Sequence, residues 1–221
     1  EVAAAARARG CEVTVLEFAP SPMGRALSPA MGTWFAGAHA RAGIRLRFNE
    51  GIASFEPGMD GRVGWAVSTT GSRYRADLVV AGIGVVPNDA LAAAAGLETG
   101  NGIVVDAALR TSDPSVLAVG DCASFPSVHA GTQIRVESVQ NATDQGRHAA
   151  RTILGPAEPY TDLPWFWSNQ GSLRLQIAGL SAPGDRTVFS GDPESGKFSV
   201  LCFRNERLAA VESVNSPGEH L

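Results

Sequence analysis

Residues 1–17 read EVAAAARARGCEVTVLE, and their order decides the fold class. The alanine-rich run predicts a helix to Arg9, Gly10 supplies a helix stop, and the apolar CEVTVLE (11–17) predicts a buried strand over Glu12–Leu16. Helix, glycine and strand in that order make the second half of a βαβ unit. A crossover helix of this kind is fed by a preceding parallel strand and a turn. Neither stands before Glu1, so the chain is expected to be a piece of a longer protein.

Outward from this unit the alternation continues. The pattern predicts a helix from Pro29 through Arg41, extended segments around Gly43–Phe48 and Val63–Ser68, and an apolar strand at DLVVAGIG (77–84). That is an α/β nucleotide-binding unit with an antiparallel appendage. Between Val86 and Gly155 lie an alanine-rich helix, a short strand GIVVD (102–106), an apolar strand in SVLAVGD (115–121) and a helix in NATDQGRHAARTIL (141–154). From Tyr160 the texture changes. LRLQIAG (173–179) alternates, RTVFSG (186–191) is extended, and KFSVLCF (197–203) and RLAAVESV (207–214) flank Asn205-Glu206 as a hairpin. This last section predicts an antiparallel sheet domain.

The composition, 44% apolar and 18% charged over 221 residues, is that of an ordinary globular enzyme of one large or two small domains. A net charge of -4 and a single lysine, Lys197, argue against nucleic acid or a membrane surface as partner. No apolar run approaches the roughly 20 residues of a spanning helix, so a cytoplasmic protein is expected. Cys11, Cys122 and Cys202 are scattered singly without a C-x-x-C, which predicts neither a disulfide framework nor a zinc site but three small apolar side chains in packing roles. The histidines His39, His129, His148 and His220 lie in unrelated contexts, and none is assigned a catalytic role.

Several residues stand where chemistry is possible. Glu17 closes the strand VTVLE, where a carboxylate either accepts from adenine ribose hydroxyls or is a surface residue at a strand end. Arg25, after the loop FAPSPMG (18–24), either reaches a pyrophosphate or is solvated. Gly120-Asp121 ends an apolar stretch, placing a carboxylate at the edge of a sheet where open α/β folds bind ligands, or forming a simple turn. RVESVQNATDQG (135–146) leads into a helix whose free N–H groups suit an anion; the plainer alternative is a surface helix capped by Ser138 or Asn141. In LPWFWSNQ (163–170), Trp165 suits core packing and Trp167 an aromatic wall beside a planar group.

Taken in order, VTVLE, LVVAGIGVVPN (78–88), TSDPSVLAVGDCA (111–123), ESVQNATDQGRHAA (137–150) and PWFWSNQ (164–170) resemble the FAD-dependent pyridine nucleotide-disulfide oxidoreductase superfamily. Within it they are most similar to the putidaredoxin reductase-like group, the ferredoxin reductase components of ring-hydroxylating dioxygenase and P450 systems. The resemblance implies a Rossmann-like NAD(P)-binding domain over 1–85 that lacks its first strand and glycine loop, a C-terminal part of the FAD-binding domain over 86–158, and an incomplete α+β C-terminal sheet domain over 159–221. It implies FAD and NADH as cofactors, a ferredoxin-type iron–sulfur protein as electron acceptor, and a homodimer as a possible assembly. It places Glu1 near the nicotinamide, Glu17 at the adenine ribose, Arg25 near the NAD phosphates, and Gly82, Ile83 and Gly84 under the cofactor. Gly120 and Asp121 fall at the flavin ribitol, Glu137, Ser138 and Val139 at the helix start beside the flavin pyrimidine edge, and Trp167 near the isoalloxazine.

The chain reads Asn169 where this group usually has aspartate, and Val139 where some members have tryptophan. The lack of a C-x-x-C favours electron delivery straight from flavin to acceptor. The alternatives implied are another NADH-dependent flavoprotein of the same fold (NADH oxidase, rubredoxin reductase or nitrite reductase flavin subunit) and a slow NADH-binding module like apoptosis-inducing factor. By itself the chain is expected to retain no flavin, to be inactive, and to be poorly soluble through exposed strand edges.

Overall fold

The computed structural model describes residues 1–216 and 218; His220 and the end of the 159–221 segment lie outside them. Helix α1 (Val2–Ala8) ends as Gly10 turns to φ +83° and the N–H groups of Arg9, Gly10 and Cys11 close back on the carbonyls of Ala6 and Arg7. Strand β1 (Thr14–Glu17) follows, and it takes in Glu17. Helix α2 (Pro29–Arg41) starts on Ser28, whose hydroxyl accepts from the Met31 N–H, with Pro29 in the first turn where its missing N–H is harmless. It carries the chain to β2 (Arg45–Phe48), which pairs in parallel with β1, Thr14 opposite Arg45 and Glu17 opposite Phe48. Strands β3 (Ile52–Pro57), β4 (Val63–Ser68) and β5 (Arg73–Arg75) form the antiparallel appendage.

The strand expected at 77–84 does not form. Leu78, Val80 and Ile83 are 80%, 61% and 95% exposed, and no described residue pairs with the segment. An apolar run becomes a strand only when a neighbour accepts and donates its peptide hydrogen bonds, so composition alone does not make one.

Helix α3 (Ala90–Ala94) leads to the strands β6 (Thr99–Gly100), β7 (Gly102–Val104), β8 (Ala123–Ser127) and β9 (Thr132–Arg135), which lie side by side in that order with β7 and β8 parallel. The apolar stretch before Gly120 is also not a strand. Only Leu117 bridges, to Arg110, because the segment folds on itself through Thr111 N–H to the Val116 carbonyl before a single 3₁₀ turn at Gly120–Cys122. Val105, Leu109, Ala118, Ala123, Phe125 and Tyr160 form the core beneath.

Helix α4 (Val139–Leu154) buries a largely polar face and exposes apolar residues at both of its ends. Asn141, Gln145, His148 and Thr152 are buried, while Val139, Ile153 and Leu154 face outward. The inward polar groups satisfy irregular backbone that has no ladder of its own. Gln145 accepts from the Gly120 N–H at 2.7 Å, Thr152 donates to the Ala108 carbonyl at 3.3 Å, and His148 Nε2 lies 2.8 Å from the Glu158 carbonyl.

The C-terminal sheet holds β10 (Trp165–Gln170), β11 (Leu173–Gly179), β12 (Arg186–Asp192), β13 (Lys197–Arg204) and β14 (Arg207–Val214), all antiparallel in the order β10-β11-β14-β13-β12. Asn205 and Glu206 both take positive φ, 49° and 60°, the geometry of the two-residue hairpin turn. Helix α2 covers this sheet: Leu27, Met31 and Phe35 pack with Leu175, Ile177, Phe198, Val200 and Val214. One helix therefore serves both the crossover and the C-terminal core. No helix among the described residues is long and apolar enough to cross a membrane.

Candidate functional site

An open cleft of about 740 Å³ lies between the Gly120 turn and the start of α4, lined by Val119, Gly120, Asp121, Glu137, Ser138, Val139, Ala142 and Thr143. Five expected site residues meet here although they come from two separate stretches. The turn lies close on the helix: Gly120 has φ +74°, and a Cβ placed on it would stand 3.3 Å from that of Ala142. The exposed Asp121 carboxylate accepts no hydrogen bond among the described residues. On the facing wall, Ser138 caps α4 by accepting from the Asn141 N–H at 3.1 Å, which leaves the earlier N–H groups of the first turn for a ligand.

Arg135, not singled out from the sequence, fixes this cleft. Its nearly buried guanidinium donates to the Asp121 carbonyl at 2.9 Å and to Asn101 at 3.1 Å, and pairs with Glu137 at 2.8 Å. Arg25 reaches the same Glu137 at 3.5 Å and lies over Gly84, so the cation expected near a pyrophosphate stands at the cleft mouth. Gly82 and Ile83 share the exposed, unpaired run with Gly84.

Glu1 is held against β10. Its Oε1 accepts from the Ser168 hydroxyl at 2.9 Å and the Asn169 N–H at 3.1 Å, and these bonds, the hydroxyl first, keep its carboxyl below the usual carboxylate range. Trp167 lies on that strand. Trp165 is not a core residue: strand periodicity puts 165 and 167 on one face, 38% and 44% exposed with ring centroids 5.2 Å apart, while Phe166 points to the core. The backbone N–H of Trp165 donates to the Gln140 side chain at 3.0 Å, tying the start of β10 to the cleft helix.

Glu17 stands apart from these groups at the end of β1. Its Oε1 accepts the Ala19 N–H at 2.8 Å, which orients the carboxylate and leaves Oε2 to a ligand. Beside it, Glu50, which the sequence did not single out, is buried and accepts from Thr70 and Tyr74; the hydroxyls of Ser68, Thr70 and Tyr74 hold its carboxyl low. All three cysteines are free. Cys202 is buried, and burial pushes its thiol up to about 12, whereas Cys11 is exposed and not the packed residue expected, because it sits in the turn between α1 and β1.

Residues 1–146 match the sequence family described as Pyridine nucleotide-disulphide oxidoreductase. The chain belongs to this family. Residues 165–221 match a second one, Reductase C-terminal. Among similar members, rhodocoxin reductase of Rhodococcus erythropolis is 47% identical over 221 residues, 100% of this chain and 52% of that protein. Putidaredoxin reductase CamA of Pseudomonas putida is 40% identical over 220 residues, 99% of this chain and 52% of that protein. The crystal structure of the ferredoxin reductase for the CYP199A2 system from Rhodopseudomonas palustris superposes with TM-score 0.94 at 46% identity, covering 99% of this chain and 54% of that one. The chain thus spans about half the length of the relatives it matches.

The cleft suits the flavin that the pyridine nucleotide-disulphide oxidoreductase family implies. A free carboxylate on one wall accepts from hydroxyls, the free N–H groups of a helix start on the other donate to carbonyl oxygens, and the side-chain-free turn at Gly120 leaves room between them.

Proposed function

We propose that the protein is an NADH-dependent flavin reductase of the ferredoxin reductase type, acting in the cytoplasm and passing electrons to an iron–sulfur protein of an oxygenase system. The observation that carries this is the meeting of Asp121 with the Glu137–Val139 helix start in one cleft, with Arg25 at its mouth. The names of the relatives, rhodocoxin reductase and putidaredoxin reductase, support the acceptor class. FAD held there would supply the two-electron to one-electron conversion that a nicotinamide donor and an iron–sulfur acceptor require.

The chain's own residues bind and orient. With FAD bound, Asp121 would accept from hydroxyls of its sugar-alcohol chain and the first N–H groups of α4 would donate to its ring oxygens, where the positive helix end favours negative charge. Glu17 selects the ribose of the nucleotide, Arg25 offers a cation to its phosphates, and Glu1 holds the β10 backbone beside Trp167. The tryptophan pair walls the ring region from water. In this reading 1–85 form the nucleotide-binding part, 86–158 part of the flavin-binding domain, and 159–221 the C-terminal domain, through which two copies pair.

The test is NADH-driven reduction of a purified [2Fe–2S] ferredoxin by the full-length protein loaded with FAD. Rapid reduction is expected. Slow NADH oxidation with no ferredoxin reduction would refute the proposal.

A further inference from the structure

Gln145 is fully buried in the middle of α4 and makes one hydrogen bond: its Oε1 accepts the Gly120 N–H at 2.7 Å. Its Nε2 is buried and has no partner among the described residues. A buried amide usually spends both ends, because an unmet donor destabilises the fold and an apolar side chain of the same shape would not. The other inward groups on α4 give no such sign; His148 and Thr152 each meet loop carbonyls with the polar atoms they have. Gln145 is therefore kept for its oxygen, and the value of that oxygen lies in what Gly120 does next.

Gly120 begins the 3₁₀ turn that carries Asp121; its N–H is bonded to the Gln145 oxygen of α4, and it lies so near the helix that a Cβ on it would stand 3.3 Å from the Ala142 methyl. Both helix residues lie within two turns of Ser138 and Val139, which form the opposite wall of the cleft. The hydrogen bond holds the turn to the helix and the absent side chain lets it lie close, so the gap between the Asp121 carboxylate and the helix start is set from behind. We infer that Gln145 is a positioning residue for this site, registering the Gly120–Asp121 turn on α4 at the width its ligand needs. The inference rests on the flavin reading above.

The experiment uses the full-length protein and two variants, Gln145→Met, which keeps the shape without the amide, and Gln145→Glu, which keeps an acceptor oxygen. Three quantities are measured: the FAD dissociation constant by fluorescence titration, the thermal midpoint of the apoprotein, and the KM for NADH at saturating FAD. Gln145→Met leaves the Gly120 N–H unmet, so it should lower the apoprotein midpoint and weaken FAD about tenfold with an unchanged KM, while Gln145→Glu, whose carboxylate still accepts from that N–H, should stay within about threefold of the wild type in affinity. FAD affinity of Gln145→Met within about twofold of the wild type overturns the inference whatever its midpoint does, as does a Gln145→Glu variant that keeps the wild-type midpoint yet loses FAD as the Met variant does, since the acceptor oxygen would then not be what sets the site. If the Met variant does not fold, Gln145→Glu decides: retained affinity upholds the role of the oxygen, and a loss beyond about tenfold overturns it. A wild-type protein that binds no FAD sinks the flavin reading itself, and this inference with it, before any variant is made.

Discussion

The backbone N–H and the hydroxyl of Ser28 both reach the buried carboxylate of Glu212 at 2.6 Å, across 184 residues of sequence. Ser181 adds a third bond at 2.8 Å, so one carboxylate on β14 ties the start of α2 to the C-terminal sheet. Burial is the largest influence on Glu212 and holds its carboxyl above the ordinary value of 4.5, against the pull of the Ser28 bonds. A raised folded-state pKa means that the folded protein binds the proton more tightly than the unfolded chain. The stability contribution is complete below 4.5 and declines as pH rises through the raised value. Glu212→Gln has no such proton, so the midpoint advantage of this variant over the wild type should grow from acid toward neutral pH in thermal melts of the full-length protein. A difference that stays flat with pH would remove Glu212 as the cause. Glu212→Ala should cost about 1–3 kcal/mol in acid by leaving the Ser28 N–H unmet, and less as pH rises and the wild type loses its own advantage.

Asp121 spends none of its side-chain hydrogen-bonding capacity within the described fold. Replacement by alanine in the full-length protein should therefore leave the apoprotein melt unchanged while weakening FAD about tenfold to a hundredfold, the loss of one charge-assisted hydrogen bond. Isothermal titration with FAD checks this, and equal affinities would reduce Gly120-Asp121 to a turn.

Trp165 and Trp167 share one half-exposed face. Each alanine variant should cost about 1–2 kcal/mol in urea unfolding, short of the roughly 3–5 of a core aromatic truncation. Quenching of bound flavin fluorescence should respond to both rather than to Trp167 alone. A Trp165→Ala loss in the core range would show that its face is covered in the full-length protein.

With Oε1 of Glu17 already fixed by Ala19, the carboxylate presents a preset acceptor to a ribose hydroxyl and a negative charge to a 2′-phosphate. NADH should be preferred to NADPH by roughly 30-fold to 1000-fold in kcat/KM, from one charge-assisted bond gained and one repulsion avoided. Glu17→Ser should erode the ratio mainly by weakening NADH. Equal kcat/KM for the two nucleotides in the unaltered protein would take Glu17 out of the site.

Local order was legible wherever one element explains itself. The helix from Pro29 to Arg41 carries its own cap and proline, and the Asn205-Glu206 hairpin its own turn. What depends on a neighbour was not. DLVVAGIG has strand composition but no ladder partner, and Trp165 looked like core until its register put it beside Trp167. In the cleft, the motif residues Asp121 and Val139 could be named from the chain, but Arg135 and Gln145 could not, since their roles are bonds to backbone atoms that no pattern of residue types encodes. The inward face of α4 is largely polar, because its task is to satisfy loops rather than to fill a core.

The left-handed pair at Asn205 and Glu206 also bears on how the molecule is made. A two-residue turn closes β13 on β14 with almost no loop entropy, and β12 joins by another short connection, so this part of the sheet can form on the microsecond scale of isolated hairpins. The α2 contacts and the Ser28–Glu212 bond close a loop of most of the chain and must come later. On a ribosome that order is enforced, since β14 emerges long after α2. Until it does, Leu27, Met31 and Phe35 have no sheet to cover, and the helix that links the two halves waits with its apolar side in water, the stage at which a chaperone would find it.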